Sequence, residues 1–500
     1  MNSIVKPAWH LPPRQDKPLF NVAAIRQMEQ DLFTQKDSFT VMQGAARSVF
    51  EVILPTLNDA AKTVHIILGS GNNAGDGLVL AALLKQAGQR VIAYRVFDKA
   101  FTGDAEKACQ MAVQYGVCIQ AFTPFACQPG DIIVEAIFGI GFDRPANGLA
   151  HDAIQHINRL KNNSSGIDVY AVDIPAGIVS DTGQALGVFV QADNTITFIA
   201  DKIGLHTADG KAASGIVHIA TLGANRPCVS DTLVYTYENA YEKIDFQALA
   251  NKHKGNFGHA LIVGGGTGMF GAAALSAVSS LKAGAGKASI YAHPDYHSQY
   301  HLGNTPLYEV MRCTDLSDIS AYSAVVLGTG LGRTAWSKNV FAQTRQAVQP
   351  NSSPLLLDAD GLYHLADTTL DNEQPVAVIT PHEAEAARLL HTDVARIRRN
   401  KPAAVKQLAK QFSCVAVLKG AGTLTSDGQC VWINPTGNIN LASAGTGDVL
   451  AGMIGGYLAQ GFAPLDAALY GVYRHGLAAD RYARQHTGKS LRASELWDYL

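Results

Sequence analysis

Cysteine motifs are the first thing this chain lacks. Its seven cysteines, Cys109, Cys118, Cys127, Cys228, Cys313, Cys414 and Cys430, are odd in number and include no CxxC pair. That argues against a disulfide framework and against a structural zinc site, and for thiols kept reduced in a cytosol. Excess charge of one sign is missing too. Lys and Arg total 40 against 42 Asp and Glu, a net charge of −2, so no basic surface is offered to nucleic acid. No stretch reaches the ~18 uninterrupted apolar residues of a membrane helix. Residues 1–18, "MNSIVKPAWHLPPRQDKP", hold no apolar core of a signal peptide. The expectation is a cytoplasmic protein with no membrane partner. Low-complexity tracts and a fixed-period repeat are also absent from the sequence.

What the chain does have is length and glycine. Its 500 residues exceed one ordinary core and predict two large domains. Its 47 glycines fall largely after apolar, strand-like runs, as nucleotide loops do in α/β proteins. "TVHIIL" (63–68) reads as a strand, "GSGNNAGDG" (69–77) as a loop, "LVLAALLKQAG" (78–88) as a helix and "RVIAYRVF" (90–97) as the next strand. Such nearly all-apolar strands are those of a buried parallel sheet. Residues 131–139, 169–177 and 193–200 predict further strands, and 151–161 a helix. Residues 224–245, polar and without a strong period, mark a boundary, giving domains 1–235 and 236–500. A second alternating series follows through 259–265, 272–286, 287–292, 324–332, 354–362, 376–390 and 414–423, closed by the helix from 448 to 458.

That helix carries the clearest chemistry. After "SAGTG", apolar residues at 449, 450, 453, 454, 457 and 458 form a helical stripe, which places Asp448 in the first turn. Free N–H groups there, beside Gly445 and Gly447, make an anion pocket. An acid next to such a pocket can take a proton from a hydroxyl while the N–H groups hold a phosphate, which is the chemistry of phosphoryl transfer. "KGAGT" (419–423) offers Lys419, two glycines and a threonine to a nucleotide phosphate. "GTGLG" (328–332), "DADGL" (358–362) and "TPHEAE" (380–385) end other strands, where open sheets bind ligands. In the first half, Asn72 and Asn73 supply amide oxygens and Asp76 a carboxylate, hard ligands suited to a monovalent cation or a sugar–phosphate. "GTGMFG" (266–271) fits a dinucleotide fingerprint, but the rest of its half reads better as a kinase-like sheet.

With these segments in order, residues 250–500 resemble the ADP/ATP-dependent NAD(P)H-hydrate dehydratases of the ribokinase-like superfamily. "KGNFGHALIVGGGTGMFGAAALSA", "GTGLG", "LLLDADGL", "TPHEAEAARLL", "LKGAGT" and "SAGTGDVLAG" carry the likeness. The resemblance implies that Lys419, Gly420, Ala421, Gly422, Thr423 and Gly447 bind the adenine nucleotide. It implies that Ala272, Gly330 and His382 line the hydrate site with Asp448, that Asp448 is the catalytic acid/base, and that Mg2+ takes part. Residues about 20–225 resemble the NAD(P)H-hydrate epimerase domain, a Rossmann-like fold, through "GSGNNAGDGLVLA", "EAIFGIGFDRP", "AVDIPAGIVSDTG" and "ADKIGLHTADGKAASGIV". This implies that Asn72, Asn73, Ala74, Gly75 and Asp76, with Gly139, Ile140, Gly141, Phe142, Asp143, Arg144 and Pro145, bind the hydrate. It also implies that Asp173 acts in epimerisation and that K+ is held by Asn73, Glu135 and Ala176. Glu135 and Ala176 stand where the family commonly has Asp and Ser.

The fold expected is therefore α/β in two domains: a Rossmann-like parallel sheet, then a ribokinase-like unit. The function expected is repair of hydrated NADH or NADPH (NADHX, NADPHX). The first domain would interconvert the R and S forms, and the second would dehydrate S at the expense of ADP, giving AMP and phosphate. The alternative is a small-molecule kinase acting on a vitamin-like alcohol, with a non-catalytic ligand-binding first domain. ADP against ATP, NADHX against NADPHX, and self-association into a homo-oligomer stay open at this point.

Overall fold

The computed structural model describes residues 7–57, 62–163, 166–227, 229–238, 249–296, 307–348, 353–368 and 376–500; Cys228 lies outside them. The chain forms two units. Pro18–Thr232 makes one, and Leu233–Leu500 with the chain up to Lys17 makes the other. The return of the first residues to the second unit has no counterpart in the sequence reading. Their anchor is Trp9, whose Nε1 donates to Gln460 Oε1 at 2.8 Å and whose ring meets Phe462 edge-on at 5.0 Å.

The Pro18–Thr232 unit is built on seven parallel strands. In spatial order they are Cys118–Ala121, Arg90–Arg95, Thr63–Leu68, Ile132–Ala136, Asp168–Val172, Asn194–Phe198 and Ile216–Ala220. The first of these in the chain, Thr63–Leu68, therefore sits inside the sheet, and chain order reverses between it and Ile132–Ala136. That is the Rossmann arrangement, and ligands bind in the crevice beyond the carboxyl ends of strands at such a reversal. Both strands are almost wholly buried, which is why their sequences do not alternate. The helix after the first strand spans Asn72–Gln86 and not 78–88. "NNAGD" is thus its opening turn, where unpaired N–H groups point outward.

The second unit holds an eleven-stranded sheet. Its core is a parallel run in which His259–Val263 lies between Lys287–Tyr291 and Ala324–Leu327, followed outward by Leu355–Leu357, Val378–Ile379 and Val415–Leu418. Leu424–Ser426 and Val431–Ile433 continue it antiparallel. Thr232–Tyr237 and the chain's first strand, Arg14–Leu19, complete that end. The segment read as a polar linker thus contains a strand. The burial of Tyr235 and Tyr237, against Tyr470 and Tyr473, outweighs its local polarity. The helix Thr446–Ala459 packs on Phe270–Lys282. A Cβ at Gly452 would meet Ser276 O at 2.1 Å, so the glycines of this helix permit backbone contact.

Candidate active sites

In the first unit, the reversal point opens into a cleft of about 930 Å³. Asn72, Asn73 and Asp76 line it from the opening turn of Asn72–Gln86, and Gly139, Ile140, Gly141, Phe142, Asp143, Arg144 and Pro145 line it from the loop after Ile132–Ala136. Ala74 and Gly75 do not line it. They are buried on another side of the helix, where a Cβ at Gly75 would lie 2.6 Å from Met42 Cε.

Asp173 follows the strand Asp168–Val172 with φ of +71°, a conformation an L side chain seldom adopts. Its N–H donates to Ile196 O at 2.7 Å, which holds the turn in place. Asp173 Oδ1 lies 2.8 Å from the ammonium of Lys202, a residue with no exposed surface. Thr197 Oγ1 and Phe198 N donate to the same oxygen at 3.3 and 3.4 Å. The other oxygen, Oδ2, lies 3.5 Å from where a Cβ on Gly139 would stand, and Asn73 Cβ is 3.7 Å from that point. Glycine at 139 therefore leaves space over the carboxylate. Lys202 lies in "ADKIGLHTADGKAASGIV", and nothing in a linear sequence pairs it with Asp173. Burial, then the negative charges of Asp173 and Glu29, raise the Asp76 carboxyl well above the usual range.

The three residues expected to hold potassium divide. Glu135 has no exposed surface, and burial pushes its carboxyl up to about 8. Ala176 N and Ile137 N donate to its two oxygens at 2.8 and 3.2 Å. Asn73 Nδ2 donates to Phe138 O at 2.8 Å, while its Oδ1 is buried with no hydrogen-bond partner. Ala176 meets Glu135 through its N–H, and its carbonyl already accepts from Val190 N at 2.9 Å. An orphaned amide oxygen and a buried carboxyl with no basic neighbour among the described residues suit a monovalent cation.

In the second unit, Gly445 has φ of +88° and opens the helix Thr446–Ala459, with Asp448 in the first turn as expected. Burial, then the charge of Asp358, pushes the Asp448 carboxyl up to about 7, against the opposing pull of Lys419. Lys419 Nζ is bound to Asp358 Oδ1 at 2.7 Å, lies 4.0 Å from Glu385 Oε2, and is 3.6 Å from where a Cβ on Gly447 would stand. Thr380 Oγ1 also donates to Asp358 Oδ1, at 2.7 Å. Asp358 and Glu385 thus share one ammonium, whose charge Asp448 feels from farther away. Asp358 and Glu385 lie in segments singled out from the sequence, but neither was assigned a role.

The remaining residues fall into three places. Thr423 Oγ1 donates to Gly420 O at 2.9 Å and closes the turn after Lys419; Gly420 and Ala421 are exposed, and Gly422 is buried with φ of +57°. Ala272 and Gly330 are neighbours, since a Cβ on Gly330 would lie 2.9 Å from Ala272 Cβ. His382 is a helix cap: its Nδ1 accepts from Ala384 N and Glu385 N at 3.1 and 3.3 Å, ahead of Glu383–Leu389.

A cleft at the reversal point of the first sheet and an acid–lysine cluster at a helix start of the second unit fit an α/β enzyme. Comparison with known proteins agrees. A family model described as NAD(P)H-hydrate dehydratase matches residues 260–500, and one described as YjeF-related protein N-terminus matches residues 38–204. The bifunctional NAD(P)H-hydrate repair enzyme Nnr of Coxiella burnetii is 32% identical over 96% of this chain and 98% of its own. That of Vibrio cholerae is 34% identical over 96% and 97%. An ADP/ATP-dependent NAD(P)H-hydrate dehydratase from Bacillus subtilis, co-crystallised with ATP and Mg2+, is 32% identical over 50% of this chain and 90% of its own, with a TM-score of 0.45. The chain belongs to the bifunctional NAD(P)H-hydrate repair enzymes, and it is an isomerase and a lyase.

Proposed function

We propose that the chain repairs NADH and NADPH hydrated across the C5=C6 bond of the dihydronicotinamide, in two steps served by Asp173 and Asp448, in the cytoplasm. The observation that carries this reading is the second cluster: a carboxyl poised at about 7, at a helix start, beside a shared ammonium. Asp448 takes the C6 hydroxyl proton, and the oxygen attacks the terminal phosphate of ADP, releasing AMP. The N–H groups of the Gly445–Gly447 turn hold the transferring phosphoryl group as charge develops. The ring-nitrogen lone pair expels phosphate from C6, and loss of the C5 proton restores the double bond. Asp358, Glu385 and Asp448 carry more negative charge than Lys419 balances, a set suited to Mg2+, which would neutralise phosphate charge during transfer. Lys419 orients Asp358, and the turn from Gly420 to Thr423 is open to the nucleotide.

In the first unit, C6 carries both a hydroxyl and the ring nitrogen. Asp173, whose Oδ1 is paired with the Lys202 ammonium, would take the hydroxyl proton through Oδ2. The C6–N bond then breaks as C6=O forms, with the proton passing to nitrogen, and reclosure of nitrogen on the opposite face of C6 returns the proton to oxygen and inverts the centre. Asn73 and Glu135 are the residues that would hold K+, which would supply fixed positive charge beside the Asp173 carboxylate. The test is incubation of the full chain with mixed R and S hydrate and ADP, following the absorbance of reformed NADH. Consumption of both forms with release of AMP is expected. A stable phosphorylated product would point to a kinase, and consumption of S alone to a first unit that only binds.

A further inference from the structure

The first unit holds a second polar cluster toward the amino-terminal edge of its sheet, away from the cleft. His65 lies in Thr63–Leu68, and Asp131 immediately precedes Ile132–Ala136, whose Ile132 pairs with Val64. Cys127 sits in the loop before Asp131. One ligand atom from each of His65, Cys127 and Asp131 can be chosen so that all three lie within 4.8 Å of one another, the one such grouping among the described residues. His65 and Asp131 are 4% and 6% exposed.

The imidazole is fixed in place. Its ring stacks on Phe125 at 4.5 Å and 10°, and Nδ1 is 3.1 Å from Tyr94 Oη. Its Nε2 is buried and has no hydrogen-bond partner; Asp131 Oδ2, at 3.6 Å, is too far to be one. A buried ring nitrogen with no hydrogen bond of normal length, beside a carboxylate and near a thiol, calls for an explanation. The carboxylate is equally fixed. Thr63 N donates to Asp131 Oδ1 at 2.8 Å and Gln128 N to Oδ2 at 2.7 Å, and each oxygen keeps a second acceptor site. Backbone donors of this kind are what orient metal ligands.

We propose that His65, Cys127 and Asp131 bind one thiophilic divalent cation, of which Zn2+ is the best fit, clamping the loop before Ile132 onto the central strand. Zinc bonds of ~2.0–2.3 Å place tetrahedral ligands roughly 3.3–3.8 Å apart. The 3.6 Å between His65 and Asp131 meets that spacing, and the thiol must close by about 1.5 Å at most. Sulfur separates this set from the oxygen donors Asn73 and Glu135 in the cleft, which suit K+. No CxxC pair announces the site, because its ligands come from a strand and a separate loop.

Chelator-stripped full-length protein titrated with Co2+ tests this. A thiolate-to-cobalt charge-transfer band should saturate at one equivalent per chain and vanish on adding Zn2+. Cys127→Ser and His65→Gln should each abolish the band or weaken binding at least about 10-fold, the lower range seen even for outer partners. Cys118→Ser, which removes an exposed thiol, should leave it unchanged. Circular dichroism and retained R-to-S exchange check the fold of each variant. If either variant fails to fold, Zn2+ should still slow maleimide labelling of Cys127 in the unmodified protein, read by mass spectrometry. No band in the unmodified protein, a band that survives both substitutions, or labelling indifferent to Zn2+ would overturn the site.

Discussion

Asp173 and Asp448 are carboxylates each set near a buried or half-buried ammonium, yet their surroundings differ in how many acids each ammonium serves. Lys202 pairs with Asp173 directly, at 2.8 Å. Lys419 is bound to Asp358 at 2.7 Å, so Asp448 receives only its residual field and stands at about 7. In the first unit the ammonium fixes the orientation of the acid. In the second it is held by a neighbour, leaving Asp448 able to accept a proton near neutrality, where a general base works best. Asp448 is tuned by burial and by the charges around it.

The largest effect expected from breaking this pattern is at Asp448. Asp448→Asn keeps the shape but cannot accept a proton, and should lower dehydration of pure S hydrate by ~10²–10⁴. R-to-S exchange should be unaffected, and near-normal NADH formation would remove Asp448 from the mechanism. Asp173→Asn should do the converse. With R-enriched hydrate and ADP, consumption of R should slow by ~10² or more toward its spontaneous rate, while pure S is still dehydrated at the normal rate. Equal loss of R in variant and unmodified protein would make Asp173 structural.

A subtler change would make the second site resemble the first. With the ordinary chain, the dehydration rate should climb with pH through an acid limb near 7, because Asp448 must be ionised. Asp358→Asn removes the charge that raises Asp448 and releases Lys419 to it, so the acid limb should move to lower pH. A limb that stays in place would dissociate Asp358 from the tuning of Asp448. The smallest expected effect concerns Glu135, whose folded value of about 8 exceeds its ordinary 4.5. The folded state then keeps a proton that the unfolded chain releases, so its contribution to stability falls as pH rises from 4.5 to about 8. Thermal unfolding of the first unit should show that loss, and K+ should offset it more at pH above 8 than below 5. Equal K+ effects at both ends would argue against Glu135 as a ligand.

Much of this protein was legible in its sequence for a physical reason. Buried parallel strands must be apolar throughout, and "TVHIIL", "DIIVEAIFG" and "HALIVGG" announce them within a residue or two at their first positions. A helix start rich in glycine beside one acid marks Asp448 equally well. Local pattern failed where distant partners decide. The helix beginning at Asn72 was read as a loop because glycine and asparagine disfavour helix interiors, yet the packing of Gly75 on Met42 and of Gly77 beside Leu68 holds it. Thr232–Tyr237 reads as linker until the aromatic rings of the second unit surround it. The sequence by itself determined the two α/β units and the family, and singled out Asp173 and Asp448 as candidates. Only the tertiary structure decided which ammonium each aspartate faces, that Trp9 returns to the second unit, and that His65, Cys127 and Asp131 meet. Charge tuning and ligand geometry depend on distances of a few ångströms between residues far apart in the chain, and no local spacing encodes those.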